Sequence, residues 1–168
     1  MTTLRDIQAP LKDRYKADAA AARITLRAAG RAGEGAMSCS VDLGRALYAA
    51  QAHAGVGGVG SAACSGDLLL GALAACAQLT CQMVAANMGL DVGVEVEVEG
   101  DLDLRGTLGV AEVPVGFTQI RTRFALSRTK GVAADRLERL RERTERYCVV
   151  LQTLLSPPTV EPTWAIAE

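Results

Sequence analysis

Cys64-Ser65-Gly66-Asp67-Leu68-Leu69-Leu70-Gly71-Ala72-Leu73-Ala74-Ala75-Cys76-Ala77-Gln78-Leu79-Thr80-Cys81 is the stretch on which the fold turns. It opens a run of 23 uncharged positions, residues 68–90, long enough to cross a bilayer. Gln78, Thr80, Gln82 and Asn87 interrupt the run, and no basic flank marks a cytoplasmic side. It therefore reads as a helix apolar on nearly every face, buried inside a protein. Ser65 is the candidate N-cap, Asp67 complements the helix dipole, and Gly89 is the candidate C′ residue. A helix from Ser65–Asp67 to Met88 is roughly 30 Å long, with Cys76 near its middle.

Alternating and amphipathic segments surround this helix. Val92 to Glu99 alternates cleanly, with Val94, Val96 and Val98 toward a core and Glu95, Glu97 and Glu99 toward water. That strand is expected to run on through Leu102 and Leu104. Phe117 to Ser127 reads as a second strand, with Ile120, Thr122, Phe124 and Leu126 on one face. Ala133 to Arg146 is an amphipathic helix, and Cys148 opens a further apolar helix through Leu155, stopped by Pro157 and Pro158. Upstream, residues 2–18 read as a helical arm. Arg23 to Ala29 reads as a strand, Gly30 to Gly35 as a turn, and Met37 to Val41 as the returning strand of a hairpin. Residues 42–54 are ambiguous, Gly55 to Ser61 is a loop, and Thr159 to Ile166 is a candidate last strand. The pattern is α+β with an antiparallel sheet, one domain over residues 1–168, with an arm at 1–20 and a core at 22–166. A single helix without a polar face needs cover on all sides. About six strands cover one face, so a partner chain is expected.

Bulk composition removes several function classes. The 168 residues are 49% hydrophobic and 22% charged, which supports a packed core rather than disorder. A net charge of −1 and 4% aromatics leave neither a basic face nor stacking platforms for nucleic acid. The five cysteines are odd in number, and residues 1–20 hold Asp6, Lys12, Asp13, Arg14 and Lys16 with no apolar signal core. The expected compartment is the cytoplasm, with reduced thiols.

The remaining motifs are weak. Gly55-Val56-Gly57-Gly58-Val59-Gly60 matches a dinucleotide fingerprint, but no Val/Ile-rich strand precedes it and no ribose-binding acid follows at the needed distance. No C-x-x-C is present and His53 is the only histidine, which argues against zinc. A Cys76–His53 hydrolase competes with His53 as an ordinary loop residue. Cys39, Cys64 and Cys81 read as small apolar fillers. Cys76 and Cys148, far apart in sequence and each in a helix or at its start, are a candidate redox pair.

The segment from Cys64 to Cys76, together with Tyr147-Cys148-Val149-Val150-Leu151-Gln152-Thr153-Leu154, resembles the paired signatures of the OsmC/Ohr family. The Val/Glu strand, the Gly116-Phe117 strand opening and Pro157-Pro158-Thr159-Val160 fit as well, so the resemblance spans about residues 22–166. It implies an intertwined homodimer with long central helices packed between antiparallel sheets, and a thiol peroxidase that needs no metal or organic cofactor. In such an enzyme Cys76 attacks an organic hydroperoxide, Cys148 resolves the product, and an external dithiol restores both. It further implies an arginine to favour the thiolate, Arg31 (with Arg27 as the fallback), and a carboxylate, Asp67. As alternatives, Arg31 is an ordinary turn residue and Asp67 a helix-start residue. On a straight helix Asp67 lies roughly 13 Å and half a turn from Cys76, so it serves its own Cys76 only if the helix start bends, and could otherwise serve a partner chain's site. Cys148 lacks the proline that commonly follows it in the family, and Asp67 stands one place late where glutamate is usual. A non-catalytic OsmC-like protein holding a small apolar ligand in the same cleft is the alternative function.

Overall fold

In a computed structural model, residues 4–18, 25, 29–32, 38–42 and 47–166 are described. The arm is a helix, α1 (Leu4–Ala17). Three short strands follow, β1 (Ala29–Ala32), β2 (Ser38–Asp42) and β3 (Leu47–Gln51), paired antiparallel in the order β1-β2-β3. The predicted hairpin is therefore present. Gly30, Arg31 and Ala32, however, belong to its first strand rather than to a turn, because their backbone pairs with Val41, Ser40 and Cys39. Arg23, Ile24 and residues 26–28 of the predicted strand, the fallback Arg27 among them, and residues 33–35 of the predicted turn, lie outside the described residues. The ambiguous stretch 42–54 contains β3.

The glycine motif forms a tight return. His53 caps a 3₁₀ turn at Ala54–Val56, its Nδ1 accepting from the Gly55 N–H at 3.0 Å. A Cβ on Gly58 would come within 1.7 Å of the Ala52 carbonyl oxygen. These glycines serve backbone approach rather than a helix N-terminus, since four residues separate Gly60 from the helix that follows.

That helix is α2 (Ser65–Asn87). Cys64 is its N-cap, and Asp67 closes the capping box by accepting the Cys64 N–H at 2.9 Å. Gly89 adopts φ +64° just past the C-cap, a left-handed conformation that costs glycine nothing. The Arg136 guanidinium donates to the Met88 carbonyl, satisfying an otherwise orphaned acceptor at this end.

The alternating segment is β4 (Gly93–Leu102). After a short helix, α3 (Leu104–Thr107), and a loop comes β5 (Phe117–Ser127), antiparallel to β4. Leu104 thus leaves the strand; Asp103 accepts the Arg105 N–H at 3.1 Å and starts α3 instead. Val94, Val96, Val98, Ile120 and Phe124 face α2, as the period-two pattern requires. The opposite face carries cross-strand ion pairs, Glu97–Arg123 at 3.3 Å and Glu99–Arg121 at 3.4 Å. Gly100 continues the inward face, and the Phe117 ring lies where its Cβ would stand, 2.5 Å away.

Two helices complete the layer, α4 (Ala134–Tyr147) and α5 (Val149–Leu155), joined at Cys148. α2 packs on β4, α4 and α5, and α1 touches it near Asn87, whose amide donates to Gln8 at 3.2 Å. One core cluster joins Cys81, Val84, Ala85, Leu90 and Leu140; the other joins Leu73, Ala77 and Cys148. The fold is thus α+β with antiparallel sheets around a long helix. As expected of a chain whose strands cover one face, α2 is covered on one side only, leaving Leu69, Leu79 and Met83 exposed within the chain. A further expectation needs correction. Thr159 to Ile166 forms no strand: among the described residues no sheet edge pairs with it, and Trp164 stands 89% exposed.

Leu140 is 1% exposed and closes the first core cluster against Cys81 and Val84. Leu140→Ala is expected to destabilise the fold by roughly 2–5 kcal/mol, through lost transfer energy plus a cavity. Denaturant unfolding checks this, and a loss below about 1 kcal/mol would mean the site collapses freely.

Candidate active site

Two helix positions build the site. Cys76 lies mid-α2, on the side facing α5, and is half-buried. Cys148 is the residue at which α4 ends and α5 begins. Its ψ of 103° leaves the helical region, while its N–H still bonds the Thr144 carbonyl at 3.0 Å and its carbonyl accepts the Gln152 N–H at 2.9 Å. This break frees the first N–H groups of α5, which have no partner within their own helix. Those of Val150 and Val149 turn to the Cys76 sulfur.

Cys76 packs against the core cluster that holds Cys148, and both thiols are free. Burial pushes the Cys76 thiol up. The Val150 N–H, the Cys148 thiol, the Thr80 hydroxyl and the Val149 N–H together outweigh that and hold it below the ordinary thiol value. Thr80 is a turn further along α2, with Oγ1 4.0 Å from the Cys76 sulfur. Burial pushes the Cys148 thiol up as well. The Leu151 and Val150 N–H groups pull the other way, but the neighbouring Cys76 sulfur adds to the rise. Cys148 is 0% exposed. The pair is therefore asymmetric: a half-buried thiol held below its ordinary value packs with a buried one held above it. Nucleophilicity follows the thiolate, and the direction of the two shifts favours Cys76 over Cys148.

The other sequence candidates are placed differently. Asp67 is engaged with the Cys64 N–H, which holds its carboxyl below the usual carboxylate range; it faces the helix start and not Cys76. Arg31 lies in β1 opposite Ser40. His53 caps its own turn. Cys81 is buried in the first core cluster, where burial raises its thiol, consistent with a filler. Cys64 is half-buried at the N-cap of α2. Among the described residues no three His, Cys, Asp or Glu side chains gather as metal ligands. Thr80 was missed in the sequence reading although its i+4 spacing from Cys76 signals a shared face. The amides of Val149 and Val150 have no side-chain signature at all.

The OsmC-like protein family model matches residues 58–163, which contain both cysteines and every element from α2 to α5. The chain belongs to the OsmC-like family. Among solved structures it resembles an OsmC-like protein from Mycoplasma pneumoniae, at 15% identity and a TM-score of 0.65, covering 80% of this chain and 89% of that one. An organic hydroperoxide resistance protein from Elizabethkingia anophelis matches at 17% identity and a TM-score of 0.56, covering 80% and 91%. The organic hydroperoxide resistance protein OhrB of Bacillus subtilis matches at 17% identity and a TM-score of 0.52, covering 80% and 93%. These likenesses show the fold; some members of the OsmC/Ohr family are hydroperoxide-resistance proteins. No curated protein matches the chain.

The asymmetry predicts how the thiols react. Iodoacetamide is expected to alkylate Cys76 with a pH profile centred below the free-thiol value of about 8.5, while Cys148 stays unmodified until unfolding. Thr80→Val removes one hydroxyl from the thiolate, so the profile moves up and the rate at pH 7 falls roughly two- to tenfold. Peptide mapping of the alkylated protein reads both effects.

Proposed function

We propose that the chain is a cysteine-dependent peroxidase that reduces organic hydroperoxides in the cytoplasm, acting in defence against oxidative stress. The observation that carries this reading is the packing of the half-buried Cys76, its thiol lowered, against the buried Cys148, its thiol raised. The relatives named for organic hydroperoxide resistance support it. The Cys76 thiolate attacks a peroxide oxygen, an S–O bond forms and the O–O bond breaks. The leaving alkoxide takes a proton and departs as the alcohol, and Cys76 becomes a sulfenic acid. Cys148 then attacks that sulfur, an S–S bond forms, the S–O bond breaks, and the hydroxyl leaves as water. An external dithiol reduces the disulfide and is itself oxidised. Arg31 is assigned the part of the cation that favours the thiolate, and Asp67 that of securing the start of α2.

Cys76→Ser is expected to abolish hydroperoxide consumption. Cys148→Ser is expected to stop after the first step, leaving a sulfenic acid on Cys76 that dimedone traps. Mild oxidation of the unmodified chain should link Cys76 to Cys148 in peptide maps. Turnover without that link would overturn the two-cysteine mechanism. A Cys76 thiol titrating at or above the free value would favour a ligand-binding protein without catalysis.

The working unit in this reading is a homodimer. Exposed Leu69, Leu79 and Met83 on α2, with Val160, Trp164 and Ile166 beyond α5, offer apolar surface that a second copy would cover. Sedimentation velocity is expected to give a dimer. Leu79→Glu should shift it to monomer, since Leu79 is 57% exposed within one chain and a charge there would be trapped in the interface.

A further inference from the structure

The hydrogen bonds across the break between α4 and α5 have one irregular member. In an uninterrupted helix the Val149 N–H would donate to the Glu145 carbonyl and the Val150 N–H to that of Arg146, four residues back. The Cys148 N–H still keeps that rule, bonding the Thr144 carbonyl at 3.0 Å, and the Gln152 N–H resumes it on the Cys148 carbonyl at 2.9 Å. Between them the Cys148 ψ of 103° interrupts the ladder, and the Val149 and Val150 amides turn to the Cys76 sulfur.

A side chain takes the Glu145 carbonyl in their place. The Gln152 Nε2 donates to it at 3.0 Å, reaching from α5 back to α4. The α4 end of this brace is itself tethered, since the Glu145 carboxylate accepts from Arg141 Nη1 at 3.0 Å. Leu151 and Leu154 pack with Leu73 and Cys148 and set the direction of α5. Those apolar contacts are non-directional, so they do not choose the partner of an amide at the start of the helix. Val149 does not choose it either, because unlike proline it has an N–H to return to Glu145.

We infer that Gln152 is a positioning residue. By occupying the Glu145 carbonyl it keeps α4 and α5 from closing into one helix, and leaves the Val149 and Val150 N–H groups to face Cys76. It acts through those amides and not on the sulfur. The other side chains of the Cys76 cluster, from α2, β4, β5 and α5, are hydrocarbon, so Cys148 is the one other titratable group in it. The inference deepens the peroxidase reading and rests on it only for the use to which the thiolate is put.

The test is the pH profile of Cys76 alkylation by iodoacetamide in the full chain, read by peptide mapping. Gln152 is exposed, so Gln152→Met, which keeps the length and loses the donor, is expected to fold. Its midpoint should rise by roughly half to one pH unit, the net worth of one intramolecular hydrogen bond. Val149→Pro supplies the control. Proline has no N–H to give, its ring clashes with the Glu145 carbonyl, and the extended Cys148 backbone (φ −73°, ψ 103°) suits a following proline. This variant takes one amide from Cys76 and holds the break without Gln152, so it should raise the midpoint by itself. Adding Gln152→Met to Val149→Pro should then leave the midpoint where Val149→Pro put it, a failure of additivity that marks a shared mechanism. An unchanged midpoint in Gln152→Met, or an equal rise with and without Val149→Pro, would overturn the inference; the first of these decides alone should Val149→Pro not fold. If the midpoints move as expected while the unmodified chain consumes no hydroperoxide, the peroxidase reading fails and the positioning role stands.

Discussion

The constraint on which the structure depends is that α2 has no polar face. A helix of this length has few ways to hide such a surface, because every flank must meet apolar side chains. The β4–β5 hairpin supplies Val94, Val96, Val98, Ile120 and Phe124 for one flank, and α4 and α5 cover the next with Leu140, Leu151 and Leu154. The alternation of the strands and the amphipathic pattern of α4 are complementary responses to the same need. What remains uncovered is one side of the helix, together with a chain end whose large side chains stand in solvent.

The chemistry of the site arises because the cover over Cys76 is not uniformly apolar. A thiol packed only among Leu73, Ala77 and Val96 would hold its proton and behave as filler. The break at Cys148 brings the first amides of α5 toward Cys76, and with the Thr80 hydroxyl they are the polar groups that lower it in a layer otherwise built of hydrocarbon and the Cys148 thiol. Local low polarity then strengthens those few contacts. Cys81, five residues further along the same helix, shows the contrast: it meets only Thr144 among polar groups, and burial prevails.

Elements whose evidence is local were legible in the sequence. The bounds of α2 follow from capping chemistry to within one residue, since Cys64 rather than the expected Ser65 is the N-cap and Gly89 ends the helix as read, and β4, β5 and α4 follow from period. The candidate pair Cys76 and Cys148 was legible as well, through resemblance. Elements whose state is decided by a distant partner were not. Ala29-Gly30-Arg31-Ala32 has turn-forming composition and becomes a strand only because β2 pairs with it. Leu47 to Gln51 has no alternation to declare itself. Thr159 to Ile166 has the composition of a strand and lacks an edge. Thr80 was accessible to spacing alone, whereas the amides of Val149 and Val150 are identical in kind to every other backbone group until the helix break aims them.

The Phe117 ring over Gly100 bears on how the hairpin finds its alignment. A one-residue slip between β4 and β5 would turn the valines outward and is excluded by the pleat. A two-residue slip preserves the pleat, and with Glu95, Glu97, Glu99 and Asp101 at every second position it still gives Arg121 and Arg123 acidic neighbours. Charge therefore does not distinguish these alignments. Shape does: displaced by two, the ring would meet the side chain of Val98 or Leu102 instead of the gap at Gly100. The hairpin is proofread by one missing side chain, and the alignment of every valine beneath Cys76 inherits its accuracy from that gap.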